Sequence, residues 1–331
     1  MMHVTEEIKK KKSKSMSLEK WKSKNKWKKM LLGVNQQRGI LGKLIIYILL
    51  ISIGFIYLYP LMKMFSTSFM SLEDLLDSSI NWIPSTFNFD NYKQALSVMN
   101  INESLFGSIM ISLVPTLFNV IVTGMVGYGF ARYDFRFKKT LMFLMIFSFI
   151  VPPQILMMPT FVLYTELGFL GSLWSFTLPA LLGQGIKSTI FILIYYSFFS
   201  QTPKSLYEAA EVDGAGEWTC FWKIGVPMAV PAIIIVFLFS FVWYWNETYL
   251  VNLYLGNGNT SYRWVTILQQ LQNFKTSYEE LYPVSANSPF RINEGVIMAG
   301  TVISIIPLLI VYFLLQKYFV ESVDNSGITG E

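Results

Sequence analysis

Cysteine and histidine are almost missing from these 331 residues: Cys220 and His3 are the sole examples. One cysteine excludes an internal disulfide, and its place in a polar stretch fits a reducing compartment. One histidine, set in a basic tail, excludes a histidine-based triad, a multi-histidine metal site and a histidine proton relay. Charged residues are scarce too, at 14%, against roughly 25% in a soluble domain. No G-x-x-x-x-G-K-[ST], G-x-S-x-G or H-E-x-x-H occurs, so the chain itself is expected neither to hydrolyse ATP nor to carry a hydrolytic centre. No catalytic residue, metal site or cofactor is read from the sequence. What is abundant is apolar: 53% of residues are hydrophobic and mean hydropathy is +0.44, the composition of a membrane protein.

The formal charge of +5 is unevenly spread. Thirteen of the 26 Lys and Arg lie in residues 1–43, in runs such as Lys9-Lys10-Lys11-Lys12 and a Lys20–Lys29 cluster interleaved with Trp21 and Trp27. Nothing there can pack a core, so the segment is expected to be disordered or to lie on a membrane surface. A basic–aromatic pattern suits nucleic acid, but directly before a long apolar run its fitting partner is anionic lipid. No small-residue cleavage site follows, and the segment reads as an uncleaved anchor.

Six apolar segments come next, at about 44–64, 106–130, 140–163, 172–199, 226–249 and 295–317, each near the roughly 20 residues that cross hydrocarbon. An all-α membrane fold of six spans is expected. Pro115, Pro152-Pro153, Pro159, Pro179, Pro231 and Pro307 fall within or near these segments, and such breakers are tolerated only where freed carbonyls face protein or a wet cavity. With the N-terminus inside, inner segments hold twenty Lys and Arg and outer ones five. This asymmetry puts both termini and residues 200–225 in the cytoplasm. A basic tail (1–43), the membrane domain (44–321) and a short C-terminal tail (322–331) make up the expected layout. Lys187 is the one basic residue well inside an apolar segment. Leaving it in lipid costs about 2.5–3.5 kcal/mol, so it either lines a pathway or sits in a helix break after Gly183-Gln184-Gly185.

Between the fourth and fifth segments lies a polar hairpin, from Thr202-Pro203 through Glu208-Ala209-Ala210 and Asp213-Gly214 to Pro227. Thr202 is expected to cap a helix beginning at Pro203. Ser205–Val212 are good helix formers, Asp213-Gly214 stops the run, and a second short helix is expected over Glu217–Lys223 before Pro227 opens the next apolar segment.

The spacing Glu208-Ala209-Ala210, three residues, Gly214, nine residues, Ile224-x-Val226-Pro227 resembles the EAA loop of ABC importer permeases, with Val226 where that family usually has Leu. The resemblance implies a coupling helix within 200–227 that docks on a separate ATPase subunit, with two ATPase copies, a homologous second permease and an extracellular solute-binding protein as partners. It implies that the Glu208 carboxylate pairs with basic groups of the ATPase, that Ala209 and Ala210 allow close approach, and that Asp213, Gly214 and Pro227 hold matching positions. Ile83-Pro84 with Phe87–Tyr92 resembles the first external loop of sugar-importer permeases, and Gln316–Glu321 resembles the C-terminal signature of the maltose-permease-like group. Trp243, Trp245, Asn246 and Glu247 resemble the aromatic–Trp-Asn-acid run of sugar permeases. Aromatic faces beside amide and carboxylate acceptors suit a polyhydroxylated ligand, although an interfacial aromatic belt reads the same way. Tyr128, Gln154 and Gln184 are weaker pathway candidates. The implied function is ATP-driven import of a sugar or oligosaccharide, with glycerol phosphate or a polyamine as other cargoes. The alternative from another class is an ion-driven carrier using Glu247 or Glu166.

Overall fold

A computed structural model describes residues 33–34, 37–256, 264–283 and 292–327. Most of the lysine-rich tail, residues 257–263 and 284–291 of the second polar loop, and residues 328–331 lie outside the described residues.

Two compact units divide the chain at Ser66 and Thr67. In the first, β1 (Gly33–Val34) pairs antiparallel with β2 (Gln37–Arg38), and α1 (Ile40–Ser68) follows. The apolar residues of α1 lie all round the helix, and none before Thr67 is buried. A helix apolar on every face is built for hydrocarbon rather than water.

The second unit is helical among the described residues. Its elements are α2 (Leu72–Leu76), α3 (Asp90–Val98), α4 (Ile101–Arg132), α5 (Lys138–Ile150), α6 (Pro153–Glu166), α7 (Trp174–Leu181), α8 (Ser188–Gln201), α9 (Lys204–Val212), α10 (Glu217–Cys220), a π-turn over Phe221–Gly225, α11 (Val226–Met228), α12 (Val230–Asn246), α13 (Tyr249–Leu255), α14 (Ile267–Gln272), α15 (Phe274–Leu281) and α16 (Glu294–Gly327). The centre of the unit is α4, which packs against α7, α8 and α12. Its buried stripe is small and polar: Ser104, Ser108, Ser112, Thr116, Asn119, Thr123 and Gly127 recur at helical spacing. Without a hydrophobic force between helices in lipid, such residues let backbones approach and hydrogen-bond across the seam. At Gly127 an added Cβ would stand 2.5 Å from the Tyr195 Cβ and 3.1 Å from the Ile192 carbonyl oxygen, so only glycine lets α4 and α8 come so close.

Segments rich in polar residues close one end of this unit. Ala95, Val98 and Met99 pack with Phe241 and Trp245 of α12, Ile267, Phe274 and Tyr278, and Val296 and Ala299 of α16. Nearby, Asp74 accepts 2.5 Å and 3.2 Å hydrogen bonds from the hydroxyl and N–H of Ser85, and these hold its carboxyl below the usual range.

By length and composition three helices among the described residues can cross a membrane: α1, α4 and α16 over Glu294–Tyr318. Two bent pairs bring the number to five if each counts as one span: α5 with α6 at 94°, and Glu217–Met228 with α12 at 75°. The expected segment 172–199 is instead divided into α7 and α8 by residues 182–187. Two local expectations are corrected. Thr202 caps no following helix: it ends α8, its hydroxyl reaching 3.5 Å back to the Phe198 carbonyl, while Pro203 takes the N-cap place of α9 with ψ 127°. Pro227 does not open the apolar helix, because helical turns continue from Glu217 to Met228 and the bend falls at Ala229.

Candidate functional site

The hairpin after α8 is built as expected in its middle. Helix α9 ends with a paired return of hydrogen bonds: Gly214 N–H to the Glu211 carbonyl at 3.0 Å and Ala215 N–H to the Ala210 carbonyl at 2.8 Å. This motif needs a left-handed residue one place beyond the cap, and Gly214 supplies it with φ +81°.

One face of α9 is pinned. Tyr207 is buried against Tyr128 at 6.0 Å between ring centroids, and Tyr128 in turn meets Phe199 at 5.2 Å and Phe221 at 5.0 Å. The Arg132 guanidinium lies 4.8 Å from the centre of the Tyr207 ring and forms a 2.5 Å ion pair with Glu211. Next along the chain, the Tyr133 hydroxyl donates to the Glu217 carboxylate. Ala210 packs against the same cluster, and Cys220 is buried in it. The end of α4 is therefore the seat on which the hairpin rests. Burial pushes the Tyr207 phenol up. At Tyr133, burial and then the hydrogen bond to Glu217 act together in the same direction.

The opposite face is open. Ser205, Glu208, Ala209 and Val212 are exposed, Val212 by 88%, as are Asp213, Gly214 and Pro227. Glu208 and Val212 stand four residues apart on one stripe, so this surface offers a carboxylate beside an apolar side chain. Trp218 and Trp222 extend it, both more than half exposed.

A second constellation lies at residues 182–187. Gly183 and Lys187 both take positive φ, +71° and +59°. Hydrogen bonds hold the turn: the Asn119 amide donates to the Ile186 carbonyl at 3.3 Å and to the Ser240 hydroxyl at 3.2 Å, Ser188 donates to Asn119 Oδ1 at 2.7 Å, and the Ile186 N–H reaches the Tyr244 hydroxyl at 3.1 Å. Lys187 Nζ lies 5.5 Å from the Phe149 ring centre and 5.7 Å from that of Trp243.

Of the pathway residues read from the sequence, Lys187 and Trp243 are thus brought together. The rest diverge. Trp245 is buried in the core with α3 and α16, its indole N–H without a partner among the described residues. Asn246 donates to the Val242 carbonyl of its own helix at 2.9 Å, and Glu247 accepts the Leu250 N–H at 2.9 Å at the start of α13. Tyr128 stands in the hairpin seat, and Gln154 and Gln184 are exposed. Arg132, Tyr133, Asn119, Ser240 and Tyr244 were not singled out from the sequence. An arginine at an apolar segment's end is the only local hint, and it reads equally as a topogenic charge.

Residues 120–325, more than half of the chain, match the family of the binding-protein-dependent transport system inner membrane component. The chain belongs to this family. As such a component it is a multi-pass membrane protein, and the matched region contains the hairpin, the 182–187 turn and the run at 243–247. This inner membrane component is 29% identical over 290 residues to the polygalacturonan/rhamnogalacturonan transport system permease protein YtcP of Bacillus subtilis (strain 168), covering 87% of this chain and 98% of that protein. It is 26% identical over 281 residues to the arabinooligosaccharides transport system permease protein AraQ of Halalkalibacterium halodurans, covering 84% and 93%. The crystal structure of a bacterial ABC transporter involved in the import of the acidic polysaccharide alginate contains a chain of the same fold, with TM-score 0.68, 23% identity, and coverage of 84% of this chain and 96% of that one.

Proposed function

We propose that this chain is the permease subunit of an ABC importer that carries a sugar or oligosaccharide inward, driven by ATP hydrolysis on a separate subunit. The observation that carries the reading is the two-faced hairpin: one face is locked to α4 through Tyr207, Glu211 and Glu217, and the other presents Glu208, Ala209 and Val212 to solvent. A lever must be stiff towards the part it moves and free towards the part that moves it. Family membership supports the class of transport, and the glycans in the relatives' names support the cargo class.

In this reading six spans cross the membrane: α1, α4, α5 with α6, the interrupted pair α7 and α8, α12 and α16, the turns over Glu217–Met228 staying with the cytoplasmic hairpin. Both termini then lie in the cytoplasm, as the twenty-to-five asymmetry of Lys and Arg supports. The basic tail (1–43) meets anionic lipid, and residues 322–331 form a short cytoplasmic tail. Glu208, Ala209, Ala210, Asp213, Gly214 and Pro227, within 200–227, form the contact with an ATPase subunit, of which the complex holds two copies. A homologous permease completes the bundle, and a solute-binding protein delivers cargo from outside. Lys187, Trp243, Trp245, Asn246 and Glu247 belong to the pathway. Import then proceeds by shifting populations between inward-open and outward-open states.

The test is uptake by the assembled transporter in proteoliposomes. Glu208→Lys is expected to leave insertion and assembly of this chain intact while abolishing ATP-driven uptake. Unchanged uptake, or uptake that stops with an ionophore and persists without ATP, overturns the reading.

A further inference from the structure

We infer that Lys187 is the counter-charge for a carboxylated cargo, so that the glycan this chain passes carries a uronate or similar acid. The inference rests on the importer reading and sharpens it.

From Lys187 to Gln201 helix α8 rises roughly 21 Å, about two-thirds of the roughly 30 Å hydrocarbon core when Gln201 lies at the inner boundary. The remaining roughly 9 Å of hydrocarbon separate the Lys187 backbone from the outer headgroups. The backbone nevertheless holds a lysine there in a left-handed conformation that L side chains avoid. The bonds donated by Asn119 and Ser188 and the Tyr244 hydroxyl that accepts the Ile186 N–H fix that turn. The ammonium itself is left over. Among the described residues the ion pairs are Lys93–Asp90, Arg132–Glu211 and Lys138–Asp134, and no carboxylate pairs with Lys187. The side chain is exposed, with the rings of Phe149 and Trp243 within cation–π range.

The ligand that completes this arrangement follows from its chemistry. An ammonium offers three donors and no acceptor, so it discriminates for an anion and against a neutral hydroxyl that is equally content with water. A planar oxyanion takes a short charge-assisted hydrogen bond, while the C–H face of the same sugar ring stacks on Trp243. A uronate supplies both halves in one residue.

The experiment uses the assembled transporter with its binding protein in proteoliposomes, with three probes: trigalacturonate, its methyl ester and neutral maltotriose. Wild type is expected to take up the acid in preference to the ester, and Lys187→Gln to lose about tenfold or more of that preference. Lys187→Arg, which keeps the charge, is expected to restore it. An unchanged acid-to-ester ratio in Lys187→Gln overturns the inference. Equal loss of all three probes also overturns it and assigns the lysine to pairing with a carboxylate of the neighbouring permease. Uptake of maltotriose alone by wild type overturns the inference and leaves the importer reading standing. No ATP-dependent uptake of any probe by wild type removes the importer reading, and the inference with it.

Discussion

Before α8, residues 182–187 turn on hydrogen bonds with Asn119, Ser188 and Tyr244; after it, residues 202–216 turn on rings, a surface ion pair and one glycine. Both places set a backbone the task of leaving a helix. Both breaks close on the same backbone pair, Gln184 N–H to the Pro179 carbonyl at 2.7 Å and Gly183 N–H to the Ala180 carbonyl at 3.2 Å matching the pair at Gly214. In the apolar interior, however, the further freed N–H and C=O of Ile186 have no water to fall back on and are met by neighbouring helices. At the hairpin, water is at hand, the backbone closes its own bonds at Gly214, and side chains are free to fix position instead. Where a break sits therefore decides what holds it.

Three substitutions test this contrast. Asn119→Leu removes the partner of Ile186, Ser188 and Ser240 at once, and each stranded buried group costs about 1–3 kcal/mol. The detergent-solubilised chain is expected to show a clearly lowered melting temperature. An unshifted melt would mean that packing, not hydrogen bonding, holds the inner break. Gly214→Ala meets open space, with nothing within 4 Å, and only backbone strain opposes it, roughly 1–2 kcal/mol. Faster proteolysis within 202–216 is expected, with the global melt little changed. Arg132→Gln removes a half-exposed ion pair worth about 0.5–1 kcal/mol, so stability should barely move while ATP-coupled uptake falls. Restored uptake in the charge swap of Arg132→Glu with Glu211→Arg would tie that loss to the pair rather than to either side chain alone.

The same contrast explains what could be read in advance. The α9 helix, its stop at Gly214 and the interruption around Gly183–Lys187 are written in short-range signals: helix formers, a residue that tolerates positive φ, glycines in an apolar run. The seat was not legible, because Arg132 and Glu211 lie 79 positions apart and Tyr133 and Glu217 lie 84 apart. Asn119 and Ser240, 121 positions apart, are hidden in the same way. Tyr128 drew attention as an aromatic on a span, but only the fold reveals that it faces the hairpin. The run Trp243–Glu247 spreads out in the fold. Residues adjacent in sequence point around a helix, so Trp243, Trp245 and Asn246 part company, and Glu247 caps the next element.

The π-turn at Phe221–Gly225 bears on the two sides of the hairpin. In it the Val226 N–H reaches back five residues to Phe221, so this stretch stores one amino acid more than an α-helical path would. Deleting a single residue there would let the coil tighten to an α-helix with every later side chain keeping its angular place, whereas tightening with the residue kept would swing each of them by roughly 100° about the axis. The phase between Glu217, fastened to Tyr133, and Val226-Pro227 at the far end is thus set by that one surplus residue.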